Sequence, residues 1–457
     1  MRHFRTRKEE PMRRIIRAIP LAALLLGAMP VAAGDLGLPV VRTTLDNGLD
    51  VVLSPNASSP TVAVDVVYNV GSKVEQKGRS GFAHLFEHMM FQGSENVPKG
   101  GHFKIIASHG GDFNGSTGED YTTYYQEIPA EMLPVVLWLE SDRMRSLNVS
   151  KENFENQRSV VIEEKLMNYD NQPYVPSFIE INRLAYEGWW PYEHPVIGDM
   201  ADLKNAKLEW VQAFFHTWYT PRNAVLCIAG NFDEAAAREL VQQYFGDIPS
   251  PAAPPAFSPP AFEPKKKDTV KIMYDPLAPL PAFHVAWNIP PMRSPEYYPL
   301  KLIAMALADG EASRLYQKLV KEKQSVQEMS VDIDGRKEPD LFSVFMILTG
   351  QESADDVRDD LMSEIASIAK DGLPDAELSK VKNRIKFRYV ANLDNNLSLA
   401  VMLGKYELLW GDASLINTEA DRFAAVTNEE IKAAAKGYLL GGRRTVLDVV
   451  PSEGGNP

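Results

Sequence analysis

The chain of 457 residues is 45% hydrophobic and 24% charged, a composition that excludes disorder and collagen and leaves room for two or more domains with cores of their own. A single cysteine, Cys227, excludes an intrachain disulfide framework and any cysteine-based zinc cluster. With 48 basic against 61 acidic side chains, a net charge of −13, the protein has no cationic surplus with which to neutralise nucleic-acid phosphates.

In chain order, residues 1–33 read as a secretory signal peptide. Arg13, Arg14 and Arg17 precede the apolar run Ile19–Met29, which is too short to span a bilayer, and Val31-Ala32-Ala33 offers a small-residue cleavage site. The expected location of the mature protein is a bacterial periplasm, where one cysteine cannot form a wrong intrachain pair. Period-two patterns then predict strands at Leu49–Leu53 and Thr61–Tyr68, and a helix over Gly81–Phe91. A Gly-rich turn and strand at Gly110–Thr117 follow, with helical stretches near 131–145 and 151–168. A strand at Ala224–Ala229 holds Cys227 as a core thiol. The Pro-rich segment 249–264, closed by Lys265-Lys266-Lys267, predicts an extended connector. Beyond it the order repeats: strands at Val270–Tyr274 and Ala282–Trp287, a helix at Tyr298–Leu307, helical stretches at 353–370 and 375–408, and a strand at Thr445–Val450. The expected architecture is a duplicated α+β unit, with residues 34–248 and 268–457 as two homologous domains joined by a linker at 249–267.

One motif carries chemistry: Gly81-Phe-Ala-His84-Leu-Phe-Glu87-His88-Met-Met-Phe91. On a helix His84 and His88 are i and i+4, so both imidazoles leave one face about a turn apart and can grip one metal ion. Two neutral imidazoles and a carboxylate from elsewhere would leave one tetrahedral position of zinc open for water. Glu87, beside His88, is placed to take a proton from that water and return it to a leaving amine. The order His-x-x-Glu-His is that of the inverzincins. As plain core residues these groups would be costly, because Phe82, Leu85, Phe86, Met89 and Phe91 bury the helix and leave two histidines and a carboxylate without partners.

The sequence through the motif resembles the active-site helix of the pitrilysin, insulinase and mitochondrial processing peptidase family. Leu45-Asp-Asn-Gly-Leu49, Gly110-Gly-Asp-Phe-Asn114-Gly-Ser-Thr117, His194-Pro-Val-Ile-Gly198, Trp218-Tyr-Thr-Pro-Arg-Asn-Ala224 and Ser313-Arg-Leu-Tyr316 follow in the family's order, so the resemblance spans essentially the whole mature chain. It implies α/β sandwich domains of the processing-peptidase type, four of which close as a clamshell around an oligopeptide. This chain would supply two of them. It further implies a zinc endopeptidase acting on short or unfolded peptides, with His84, His88 and a distant glutamate as ligands and Glu87 as base. Glu163 and Glu164 lie 75 and 76 residues past His88 and both fit that distance. The family pattern Val-Val-x-Glu-Glu assigns the ligand to Glu164, and Val160, Val161 and Met167 would wall that residue into a packed face. Gln157 stands where many relatives carry another glutamate. Gly110–Thr117, including Asn114, resembles the strand bordering the cleft, where substrate adds as a further strand.

The corresponding helix of the second half, Pro299–Leu307, has no metal ligand, so one zinc per chain is expected. Relatives that act alone or as homodimers carry a segment Leu-Arg-x-x-x-x-x-x-Tyr whose Arg and Tyr reach the substrate carbonyl. The matching stretch here, Leu319–Gln327, has Val320 and Gln327 at those places, with Lys321 and Lys323 as possible replacements for the Arg. The expected assembly is a heterodimer whose second chain lacks the His motif and brings the Arg and Tyr. The competing reading is a non-catalytic structural or peptide-binding subunit, against which the intact motif and downstream glutamate stand. His102, His109, His194, His216 and His284 occur singly and are read as capping or core residues, and Trp189-Trp190 as packing residues.

Overall fold

The computed structural model describes residues 36–452, so the signal-peptide reading of residues 1–33 lies outside the described residues. Strands β1 (Val41–Thr44), β2 (Asp50–Pro55), β3 (Thr61–Tyr68), β4 (Asp112–Thr117), β5 (Thr122–Pro129) and β6 (Ala224–Gly230) form one sheet in the order β1-β2-β6-β3-β5-β4. A second sheet has the order β7-β11-β8-β10-β9, from β7 (Thr269–Asp275), β8 (Ala282–Ile289), β9 (Val326–Asp332), β10 (Asp340–Leu348) and β11 (Arg444–Pro451). Apart from β1, the two orders are the same. In each the first and last strands of the unit pair in parallel, β2 with β6 and β7 with β11, while the other pairings are antiparallel. This is the duplicated α+β unit that the repeated element order predicts, and β4 and β9 are the corresponding edges.

Each sheet has two covered faces, which is why β3 and β6 are buried along nearly their whole length. On one face of the first sheet, Val62, Val64 and Val66 pack with Phe82, Leu85 and Phe86 of the helix Phe82–Met89. On the other face, Ala63, Val67 and Cys227 meet Leu399, Ala400 and Leu403 of the helix Asn396–Trp410, which comes from the second half of the sequence. The exchange is mutual, because Ile181 and Leu184 of the helix Val175–Ala185 pack with Ala286 and Leu447 of the second sheet. Gly404 permits the close approach of the first crossover helix. A Cβ there would lie 2.5 Å from Asp65 Oδ2 and 2.9 Å from Val67 Cγ1.

The helical stretch predicted over 375–408 is two helices, Asp375–Leu393 and Asn396–Trp410. They part where the Asn395 side chain accepts the Ser398 N–H and starts a new helix. Residues 249–264 form no helix or strand. This connector is tied to the first half by the Trp189 indole, which donates to the Pro260 carbonyl at 2.8 Å, and by Phe262, which meets Tyr186 and Trp189 edge-on. No helix among the described residues is long and apolar enough to cross a membrane.

Candidate metal centre

The motif helix starts at Gly81, whose φ of +84° suits glycine. Any Cβ there would strike the Ile197 carbonyl oxygen at 2.7 Å. The helix has no side-chain cap of its own. Glu75, buried in the preceding turn, accepts the N–H groups of Gly81 and Ala83 at 2.8 and 2.7 Å and thereby places a carboxylate at the positive end of the helix. His194 approaches the same Glu75 at 3.1 Å and stacks on Trp190, so this lone histidine belongs to the buttress of the motif helix.

Phe82, Leu85, Phe86 and Met89 are buried in the core, which turns His84 and His88 the other way. Their rings lie 4.8 Å apart. The helix Lys151–Lys165, capped by Ser150, crosses in front of them and presents Glu164. Glu164 Oε2 is 3.2 Å from His88 Nε2, and Glu164 Oε1 is 3.8 Å from His84 Nε2. One ligand atom from each of the three residues lies within 4.8 Å of the others, the only such group of three found among the described residues. Of the two glutamates that fit the distance from His88, Glu163 is exposed and Glu164, the one the family pattern assigns, turns to the histidines. The expected packed wall around Glu164 is not there: Val161 is buried, but Val160 and Met167 are 42% and 63% exposed. They sit on the solvent side of the helix, and Glu164 itself is only partly covered. Gln157 is buried and donates to Asn156 Oδ1 at 2.8 Å.

His84 and Glu164 are in the protonation states a divalent cation needs. Burial, followed by the neighbouring His88, pulls the His84 ring down to about 4, against the opposing pull of Glu164, so it is neutral near pH 7. The hydrogen bond from His88 holds the Glu164 carboxyl below its ordinary range, so it is ionised. Two imidazole nitrogens and one carboxylate oxygen therefore converge on one point, a set suited to a borderline-soft metal such as zinc. His84 Nδ1 is buried without a hydrogen-bond partner, so the outer orientation of that ring comes from packing alone.

Glu87 leaves the same helix toward β4. Its Oε2 accepts the Thr117 hydroxyl at 2.6 Å. Burial pushes its carboxyl above the ordinary range, with the Thr117 bond pulling the other way. Gly115 makes the room, since a Cβ there would lie 3.1 Å from Glu87 Cγ and 3.2 Å from the Tyr124 ring. Thr117 and Gly115 were not singled out from the sequence as site residues. The signal was the period of two along β4, which sends Gly115 and Thr117 to one face and Asn114 and Ser116 to the other. Asn114 is accordingly not gathered with the metal group, and its Oδ1 accepts the Gly115 N–H at 2.9 Å. As the outer strand of its sheet, β4 has one unpaired edge beside Glu87.

Among the described residues, no His, Cys, Asp or Glu of the second half joins the metal group. Lys321 lies over the Tyr316 ring, and Lys323 is engaged by Glu352 and Asp360 at 3.2 and 2.5 Å. His102 bonds Gln126, His284 bonds Ser177, and His109 Nδ1 bonds the Ile105 carbonyl.

Two like-ordered α/β units that exchange helices, with a His-x-x-Glu-His helix facing a glutamate helix, define a half-clamshell of the mitochondrial processing peptidase type. Comparison with known proteins agrees. Residues 50–186 match the insulinase family (peptidase family M16) and residues 205–385 match the peptidase M16 inactive domain. The chain belongs to the M16 peptidase family. It is 27% identical to the zinc protease PqqE of Helicobacter pylori, over 89% of this chain and 92% of that protein. The crystal structure of a protease from Helicobacter pylori superimposes with a TM-score of 0.85 at 25% identity, covering 91% of this chain and all of the other. The periplasmic protease PqqL of Escherichia coli, at 18% identity and a TM-score of 0.71, is covered over 48% of its length by 92% of this chain.

Proposed function

We propose that this protein is a zinc-dependent endopeptidase that hydrolyses short or unfolded peptides within a clamshell chamber, as the metal-bearing half of a larger assembly. The observation that carries this reading is the convergence of His84 Nε2, His88 Nε2 and a Glu164 oxygen within 4.8 Å, next to a glutamate held on the edge strand. When bound by these three residues, one zinc per chain would supply a Lewis acid that brings the pKa of water toward neutrality and polarises the scissile carbonyl. The unpaired edge of β4 offers N–H and C=O groups in strand register, so an extended peptide would be held by its main chain, passing Asn114 and Gly115. Thr117 occupies one oxygen of Glu87 and leaves the other free to take a proton from the attacking water and pass it to the departing amine. Val320 and Gln327 stand where related peptidases carry Arg and Tyr, so the groups that polarise the carbonyl from the far side come from a homologous second chain. The same reading puts the mature protein in the periplasm, after removal of residues 1–33.

Glu87→Gln tests the assignment. Zinc content by mass spectrometry should stay at the parent level, while cleavage of an unstructured peptide falls by about 10²-fold or more. Turnover at the parent rate in this variant would remove Glu87 from the role of base.

A further inference from the structure

Behind β4, on the face away from Glu87, lies a cavity of about 550 Å³. Its floor is Ser116 of β4 and Thr123 and Tyr125 of β5, and one wall is the stripe Leu397, Val401 and Lys405 of the crossover helix. Those three are spaced i, i+4 and i+8, opposite the Leu399 and Leu403 stripe that packs on the sheet. Three acidic residues line the same cavity, but each is already engaged. Asp120 takes Lys73 at 2.8 Å and the Tyr192 hydroxyl at 2.7 Å, and the buried Arg336 holds Glu119 and Asp334, each at 2.9 Å. The Lys405 ammonium is different. Among the described residues it makes no hydrogen bond or ion pair, and it lies 5.9 Å from the centre of the Tyr121 ring. Burial pulls its pKa down, with the acidic neighbours opposing. An unpaired ammonium at the end of an apolar wall is costly unless an anion completes it.

The place of this cavity in the strand pattern says which anion. Thr117 points to Glu87 and Ser116 to the cavity, so a peptide added to the edge of β4 alternates in the same way. Side chains of one parity pass the metal group, and those of the other pass the cavity mouth. We infer that Lys405 is a specificity-determining residue that receives a peptide carboxylate in this cavity, either from an acidic side chain of that parity or from a free C-terminus. This rests on the reading that peptides bind along β4.

Binding, measured apart from cleavage, tests it. Zinc-loaded Glu87→Gln protein is titrated by fluorescence anisotropy with labelled unstructured peptides that differ only in Glu or Gln at one scanned position, each made with a free or an amidated C-terminus. A carboxylate at a position of the cavity parity should tighten binding about ten-fold. Dependence on the Glu position identifies a side chain as the source, and loss on amidation identifies the terminus. Adding Lys405→Met should erase the difference, and Lys405→Arg should keep most of it. Equal binding of acidic and neutral peptides, or a difference that survives Lys405→Met, overturns the inference and leaves peptide binding on β4 standing. Failure of every peptide to bind overturns both. Lys405-dependent discrimination in a protein whose parent form cuts none of the peptides would keep the carboxylate site and remove the peptidase reading.

Discussion

If Glu87 is the base, as proposed, Thr117 sets how readily it works. Its hydroxyl stabilises the ionised carboxylate, opposing the burial that raises the carboxyl. Thr117→Val removes that bond, so the Glu87 pKa rises and the acidic limb of the kcat/KM profile should move to higher pH, with kcat/KM at pH 6 lower by about ten-fold. Zinc content should not change, and Thr117→Ser should restore the parent profile; an unmoved limb would show that the bond is idle. A second residue-scale effect concerns His284, on β8 of the second sheet. Burial alone holds His284 at about 3, against about 6.5 in an unfolded chain. A depressed histidine binds its proton only in the unfolded state between those values, so its contribution to stability is complete above about pH 6.5 and is lost as pH falls toward 3. His284→Phe should therefore lower the slope of unfolding free energy against pH by about 1.4 kcal/mol per unit between pH 6 and 4 relative to the parent, as read from urea midpoints across that range. The motif residues were legible because helix geometry alone pairs His84 with His88. Thr117 was legible only as one face of β4, because which helix that face meets depends on a strand crossing that no local pattern encodes.

The crossover helix Asn396–Trp410 shows where local reading ends. Its residues Leu397, Leu399, Ala400, Val401, Met402 and Leu403 run almost all the way round, so periodicity says that it is covered on most sides but not by which sheet. That it packs on a sheet some 170 to 345 residues earlier in the chain is a tertiary fact, and it explains the burial of both faces of β3. The parting of this helix from Asp375–Leu393 went unread because neither Pro nor Gly marks it; the Asn395 cap was the available signal. Helices exchanged in this way should tie the two sheets into one cooperative unit. Leu403 is fully buried between the first sheet and this helix, and Leu403→Ala should cost about 2–5 kcal/mol. The loss should appear as one transition, with Trp287 in the second sheet and Trp138 beside the first-sheet core reporting the same lowered midpoint. Separate midpoints for the two tryptophans would show that the helix does not couple the sheets.

At the scale of the molecule, the order of strands was written in the sequence twice and so could be read as a duplication, whereas the assembly has to be argued from what the chain lacks. One unit has a metal group and an open edge at β4. The other has the corresponding edge at β9, with no ligand in its helix, and the proposed function places Val320 and Gln327 where a polarising pair would stand. Donors aimed at the developing oxyanion contribute about 10²–10³ in turnover, so a chain without them should retain zinc and bind peptide yet cleave slowly. Its kcat should rise by about that factor on addition of a homologous chain that lacks the His motif and carries the Arg and Tyr, in step with a one-to-one complex on size-exclusion chromatography. Substituting that Arg in the partner should cancel the gain without breaking the complex, because the residue acts on substrate and not on the interface. Turnover at the full rate by the purified chain, as a monomer or with a second copy of itself, would instead show that Lys321, Lys323 or another group of this chain already polarises the carbonyl.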